Sequence, residues 1–348
     1  MSDVLNPGTI LWSRYRILEL VGQGGMGAIY QAEDLRLEGR RCAIKEVIPD
    51  ANASKAYQEQ SQAAFHREAS VLARLDHANL PKVSDFFLFN GRNYLVMDFL
   101  PCQDLRELIE NARHKGTFIA EEQVLTWAKQ LISALEYLHQ QETPVLHRDI
   151  KPSNIKLTPN GTIKLVDFGL VKLLLPDDNR TITVLQGRAT IQYAPLEQIG
   201  GDTGYTDVRS DIYSVGATLY HLLTNEAPPD AKTRYIMARQ QRPLSIRAIN
   251  PAITPQTEQA VLHALGLHPE ERPESIAQLK QELLANAPII INGQITNGWR
   301  FAFWRNRVLL ALITALLTLA IILTFTPGIS SQRNAESDLP NPVSDMSP

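Results

Sequence analysis

Two things are scarce in this chain of 348 residues: cysteine, with only Cys42 and Cys102, and net charge, with 34 Lys and Arg against 37 Asp and Glu. Two cysteines exclude a disulfide framework and a zinc cluster and fit a reducing compartment; each reads as a small buried apolar residue. A formal net charge of -3 gives no electrostatic case for nucleic acid. Residues 1–12 lack a basic stretch followed by an apolar run, so no secretory signal is expected there. No internal repeat is visible. Hydrophobic residues at 44% and charged residues at 20% exclude wholesale disorder and leave enough apolar material for a sizeable core. At about 150 residues per domain, the length suggests two domains or one large two-lobed one.

One long apolar run is present. Val308 to Phe325 is 18 residues without charge and with three threonines. At about 1.5 Å per residue it covers roughly 27 Å, close to a hydrocarbon core. Arg300, Arg305 and Arg307 precede it, with Trp299 and Trp304 interleaved, and the tail beyond Pro327 carries one Arg and three acids. Basic anchors on one side place that side in the cytoplasm. A single-pass transmembrane helix over 308–326 is therefore expected, in contact with membrane lipid, with a cell-membrane location. The tail 327–348 holds five Ser and four Pro in 22 residues, and is expected to be a short disordered extracytoplasmic segment. That length leaves no room for a folded sensor outside. Residues 285–307, with their Pro, Gly and Asn breakers, read as a juxtamembrane linker.

Before that linker, residues 15–110 show short apolar strands, glycine turns and one helix around Gln62 to Leu75, where Phe65, Ala69 and Leu72 keep helical spacing. Helical patterning dominates further on, over Glu121 to His139, Asp207 to Leu223 and Glu258 to Leu265. The fold class is α+β: a strand-rich lobe followed by a helix-rich one.

Gly22-Gln23-Gly24-Gly25-Met26-Gly27-Ala28-Ile29 places glycines where a backbone can approach phosphate oxygens without a Cβ in the way. A dinucleotide-binding turn would open a helix, but here the chain continues as a strand through Ile29. Eighteen residues past Gly27, Lys45 ends the run Cys42-Ala43-Ile44. A lysine in so apolar a strand wants a carboxylate, and Glu68 on the 62–75 helix is the candidate. His147 to Asn154 concentrates Asp149, two cations and an amide in eight positions, and Pro152 makes it a loop. Asp167 follows the apolar strand Ile163 to Val166, and with Asn154 it offers oxygen ligands for Mg2+.

In their order and spacing these residues resemble the Hanks-type protein kinases, and among them the bacterial Ser/Thr kinases with one membrane span. The resemblance covers about residues 15–284 and implies a bilobal kinase fold, with an N-lobe over 15–98 and a C-lobe over 102–284. It implies that Gly22, Gly24 and Gly27 cover the phosphates of ATP, with Gln23, Gly25, Met26 and Ala28 in the same loop. Lys45 would contact the α- and β-phosphates, held by Glu68. Asp149 would take the substrate hydroxyl proton, Lys151 would neutralise charge on the transferred group, and Asn154 and Asp167 would hold Mg2+, with Mn2+ as an alternative. Lys151 and Thr190 match the Ser/Thr-specific pattern, and His147 reads as packing support.

The same resemblance places Val21, Ile29 and Ala43 above the adenine, Met97 as gatekeeper, and Asp98 and Leu100 as hinge residues offering backbone groups. Glu197 would pair with Arg272 as an architectural contact, and Asp211 would brace the catalytic loop. Arg148 would meet a phosphate on the activation segment, for which Thr181 and Thr183 are the candidates. Three departures stand out. Lys156 replaces an aliphatic residue under the adenine, and its amine would have to snorkel away. Cys102 stands where glycine is common, near Asp104, a candidate ribose or substrate contact. Arg188-Ala189 replaces the usual Gly-Thr.

The activity expected is transfer of the ATP γ-phosphoryl group to Ser or Thr of protein substrates, with autophosphorylation and transient homodimers. The reading from another class is a nucleotide-binding pseudokinase scaffold; the intact Lys45, Asp149, Asn154 and Asp167 speak against it.

Overall fold

The computed structural model describes residues 4–24, 27–48, 54–167, 191–199 and 206–284. The chain divides into a unit Met1–Ala285 and a unit Asn286–Pro348. The second unit, with the expected span 308–326, lies outside the described residues. Among the described residues, no helix is long and apolar enough to cross a membrane.

The first part is an antiparallel sheet: β1 (Ile10–Leu11), β2 (Tyr15–Gly24), β3 (Gly27–Asp34), β4 (Arg41–Val47), β5 (Val83–Phe89) and β6 (Arg92–Asp98), in the order β1-β2-β3-β4-β6-β5. Side chains alternate between its faces. Tyr30, Ala32, Cys42, Ile44, Tyr94 and Val96 point to one side and close a cluster with Leu11, Tyr15, Ile17, Ala28 and Phe87. Leu95 and Met97 point to the other, with Ala43 packed against the same core. Helix α1 (Lys55–Arg74) lies on that side and buries Phe65, Ala69 and Leu72. It starts seven residues before the apolar signal, because the Ser54 hydroxyl caps it by accepting from Tyr57 N–H at 3.3 Å.

The rest is mainly helical: α2 (Leu105–His114), α3 (Glu121–His139), α4 (Leu196–Ile199), α5 (Val208–Thr224), α6 (Ala231–Arg239), α7 (Pro255–Ala264) and α8 (Ile276–Leu284). A short hairpin of β7 (Ile155–Leu157) and β8 (Ile163–Leu165) lies beside α3. Helix α5 is apolar almost all round and buried along nearly its whole length, as expected of a helix enclosed by others. Gly216 permits its contact with α7: a Cβ there would stand 2.9 Å from Ala264 Cβ. One apolar core runs from Phe65 and Leu95 under the sheet to Leu131, Leu135, Ile212 and Leu219 among the helices. A strand-rich lobe followed by a helix-rich one, the two-lobed arrangement that the resemblance implies, follows from these two parts.

Candidate active site

The loop that starts at His147 is held from below by one buried carboxylate. Asp211, in the first turn of α5, accepts from His147 N–H at 2.9 Å and from Arg148 N–H at 2.8 Å. His139 Nε2, at the end of α3, meets the same carboxylate at 3.0 Å. Buried entirely, Asp211 would be pushed up by desolvation, but these partners win and hold it below the usual carboxylate range. Arg148 takes a positive φ of 63°, a strained state for a non-glycine residue that this double backbone bond keeps in place. His147 is fully buried, its Nε2 3.2 Å from the Val166 carbonyl.

Above this brace three side chains converge. Lys151 Nζ is 3.0 Å from Asp149 Oδ2, and Asn154 donates to the same oxygen at 2.9 Å. Asn154 also donates to the Asp149 carbonyl at 2.8 Å, while its own carbonyl accepts from Val166 N–H at 2.8 Å. That last bond ties Asn154 to the strand end carrying Asp167, which adopts a positive φ of 68°.

Lys45 crosses from the sheet to this loop: its Nζ meets Asp167 Oδ1 at 2.6 Å. Glu68, the expected partner of Lys45, sits largely buried within electrostatic reach of Arg148 and Lys45. Burial pushes its carboxyl up to about 7, against the weaker pull of those two cations.

The hairpin of β2 and β3 brings Gly22 opposite Ile29 and Gly24 opposite Gly27. A Cβ on Gly22 or Gly24 would meet no protein atom within 4 Å, so the space above them is open to phosphate oxygens. Gly27 is different: at φ 149°, its Cβ would fall 1.9 Å from the Glu46 carbonyl. Ala43 pairs with Met97 in register, and Ile29 with Lys45, so these four share the inner face. Ala28 does not. Its side chain is buried in the outer cluster beside Tyr30, because one residue along a strand reverses the face. Val21, at a register shift in β2, is 53% exposed. In the hinge, Asp98 N–H donates to the Lys82 carbonyl at 3.1 Å, and the Leu100 carbonyl accepts from Cys102 N–H at 2.8 Å.

These residues fit a nucleotide with a hard cation. Among the described residues no group of three or more His, Cys, Asp or Glu could hold a metal unaided. Asn154 and Asp167 supply oxygen donors suited to Mg2+, which takes its remaining ligands from phosphate and water.

Gly25, Met26, Arg180, Thr181, Thr183, Arg188, Ala189 and Thr190 lie outside the described residues. Sequence reasoning overlooked the service of His139 to Asp211, and the pairing of Tyr193 Oη with His221 Nδ1 at 2.7 Å. Neither pair is close in sequence, and no local pattern joins them.

The protein kinase domain family matches residues 15–289. A probable serine/threonine-protein kinase of Streptomyces coelicolor is 34% identical, over 79% of this chain and 40% of its own length. The serine/threonine-protein kinase PrkC of Bacillus subtilis is 32% identical, over 79% of this chain and 41% of its own length. The chain thus spans less than half the length of these relatives. Among solved structures, the apo form of PpkA-294 superposes with a TM-score of 0.64 at 28% identity, covering 81% of this chain and all of that one. The kinase domain of Mycobacterium tuberculosis PknI does so with a TM-score of 0.60 at 24% identity, over 80% of this chain and 98% of its own, a likeness of fold alone. Protein kinases use ATP and Mg2+, which is what the donors and glycines above would hold. With most of its length matched and the catalytic loop, lysine strand and glycine hairpin in place, the chain belongs to the protein kinase domain family.

Proposed function

We propose that this chain is a membrane-anchored serine/threonine protein kinase. One observation carries the reading: Lys151 and Asn154 converge on the Asp149 carboxylate while Lys45 reaches across from the sheet to Asp167. Phosphoryl transfer asks for positioning and charge neutralisation more than for covalent chemistry, and these groups supply both. Asp149 accepts the proton of a Ser or Thr hydroxyl as its oxygen bonds to the γ-phosphorus and the bond to the β-phosphate oxygen breaks. Lys151 neutralises charge on the moving group. Lys45 steadies the α- and β-phosphates under the hairpin of Gly22, Gly24 and Gly27. Asn154 and Asp167 hold Mg2+, which screens the charge of the phosphates. Ile29, Ala43 and Met97 line the base pocket, and the Asp98 carbonyl and Leu100 N–H read its edge.

The apolar run 308–326 anchors the chain with its kinase domain in the cytoplasm. Thr181 and Thr183 are the proposed sites of activating phosphorylation, made in trans between tethered copies.

The test is phosphate transfer by the full chain, with Mg2+-ATP, a basic protein acceptor and phosphosite mapping, beside the Asp149→Asn variant. Transfer that vanishes in the variant, with phosphate on Thr181 or Thr183, supports both the enzyme and the switch. Transfer without phosphate there removes the switch. ATP binding without transfer replaces the enzyme by a scaffold. Extraction by alkaline carbonate, without detergent, would remove the anchor.

A further inference from the structure

The inference rests on the nucleotide reading above and concerns the sugar. Asp104 lies at the end of the hinge segment, six residues past Asp98, and Lys156 lies on β7, two past Asn154. Their backbones face each other in an isolated antiparallel bridge, and Leu157 N–H donates to the Gln103 carbonyl at 2.9 Å. Their side chains also meet: Lys156 Nζ is 3.1 Å from Asp104 Oδ2. The other oxygen, Oδ1, accepts from Glu107 N–H at 3.1 Å and caps α2. Both side chains are mostly covered, at 27% and 14% exposure. The bridge fixes both backbones, so little is left to order when the ion pair forms. The ammonium drawn to Asp104 lays the four-carbon stem of Lys156 along the strand, as a lysine does when it covers apolar surface.

We propose that the Asp104–Lys156 pair makes this kinase indifferent to the sugar hydroxyls of its nucleotide, with the Lys156 stem as floor beneath the base. A site discriminates sharply against a missing hydroxyl when its own polar group is then left unpaired. A free Asp104 carboxylate would be such a group. Here it keeps an ammonium on one oxygen and a helix cap on the other, whether or not a hydroxyl arrives. Removing the 2′- or 3′-hydroxyl strands nothing.

The experiment titrates the full chain, with Mg2+ present, against ATP, 2′-deoxyATP and 3′-deoxyATP by calorimetry. The three are expected to bind within about threefold of one another, and Lys156→Leu and Lys156→Met to open a preference for ATP of about tenfold by freeing the carboxylate. Thermal unfolding identifies which variants are folded, and the wild-type comparison needs neither. A tenfold preference for ATP in the wild type overturns the inference and leaves the kinase reading intact. A flat response in folded variants of both kinds also overturns it. No ATP binding by folded wild type overturns the nucleotide reading and this inference with it.

Discussion

Arg272 and Glu197, 75 residues apart, are joined by two hydrogen bonds of 2.6 and 3.0 Å, with the arginine side chain wholly buried. Ser210 donates to the same glutamate at 2.8 Å, and Arg272 gives its other donors to the carbonyls of Gly266, Arg209 and Leu267. The pair clamps α4 onto the base of α5. Burial alone would raise the Glu197 carboxyl, but Arg272 holds it below the usual range.

Arg272→Ala leaves that carboxylate buried without its cation, and is expected to cost about 3–5 kcal/mol of stability. Arg272→Lys should recover only part of the loss, since an ammonium cannot reproduce the fork. Denaturant unfolding of the two variants checks both. A loss under about 1 kcal/mol for the alanine variant would contradict the clamp.

Asp149→Asn should lower turnover by about 100-fold or more while moving the unfolding midpoint little, because the amide keeps the shape of the carboxylate without its basicity. The measurement is kcat beside a thermal melt. A variant retaining most of its activity would place the base elsewhere.

The glycines of the hairpin should separate by assay. Gly27→Ala must move the Glu46 backbone aside and adopt an unfavourable φ, so it should destabilise the fold by several kcal/mol. Gly24→Ala meets open space and should melt near the wild type, with its effect confined to nucleotide binding. Equal melts for the two would refute the distinction.

Glu68 links stability to pH. Its carboxyl is raised from 4.5 to about 7 by burial, so the folded state holds a proton that the unfolded state has lost. Stability contributed by this group therefore falls as pH rises from 4.5 through 7. Glu68→Gln should stabilise the protein by on the order of 1–2 kcal/mol at pH 8 and be near neutral at pH 4. Melts at the two pH values decide it, and a gain of equal size at both would rule out the protonation argument.

His221 runs the other way. Burial, then Arg106 and Arg113 of α2, depress it from 6.5 to about 4, while Glu110 pulls back and Tyr193 caps its Nδ1. The unfolded chain takes up a proton that the folded one refuses. Stability from this group is present above pH 6.5 and is lost as pH falls towards 4. His221→Asn should flatten that slope, as read from unfolding midpoints between pH 4 and 7.

Much of this was legible in the order of residues. Helix α3 runs over Glu121–His139, the span its apolar period marks, and the catalytic loop could be placed because Pro152 and the strand before Asp167 bracket it. Helix α2 was not seen, since its large apolar residues are only Leu105, Leu108 and Ile109; the signal available was Asp104 with Glu107 three places on. That the Ala28 side chain turns to the outer cluster was not legible, because a glycine-rich motif hides where strand alternation resumes. The Lys45–Asp167 contact spans 122 residues, and no local pattern joins the two.

The outer face of the sheet sets where the chain can be cut. Arg14 holds Asp34 through two bonds of 2.9 and 2.8 Å and reaches Asp85 at 2.9 Å, and Leu5 N–H donates to Tyr30 Oη at 3.1 Å. Tyr30 in turn donates to the buried Glu46, which also takes Tyr94 and Arg92. The bonds from Arg14 and Leu5 hang on residues before position 15, where the family match begins. A fragment trimmed to that boundary would strip a guanidinium from a carboxylate only 1% exposed and remove Leu11 from the cluster it shares with Ile17. The smallest stable piece of this protein therefore starts about ten residues upstream of its recognisable domain, and expression fragments drawn on family boundaries should aggregate where those retaining Val4 stay soluble.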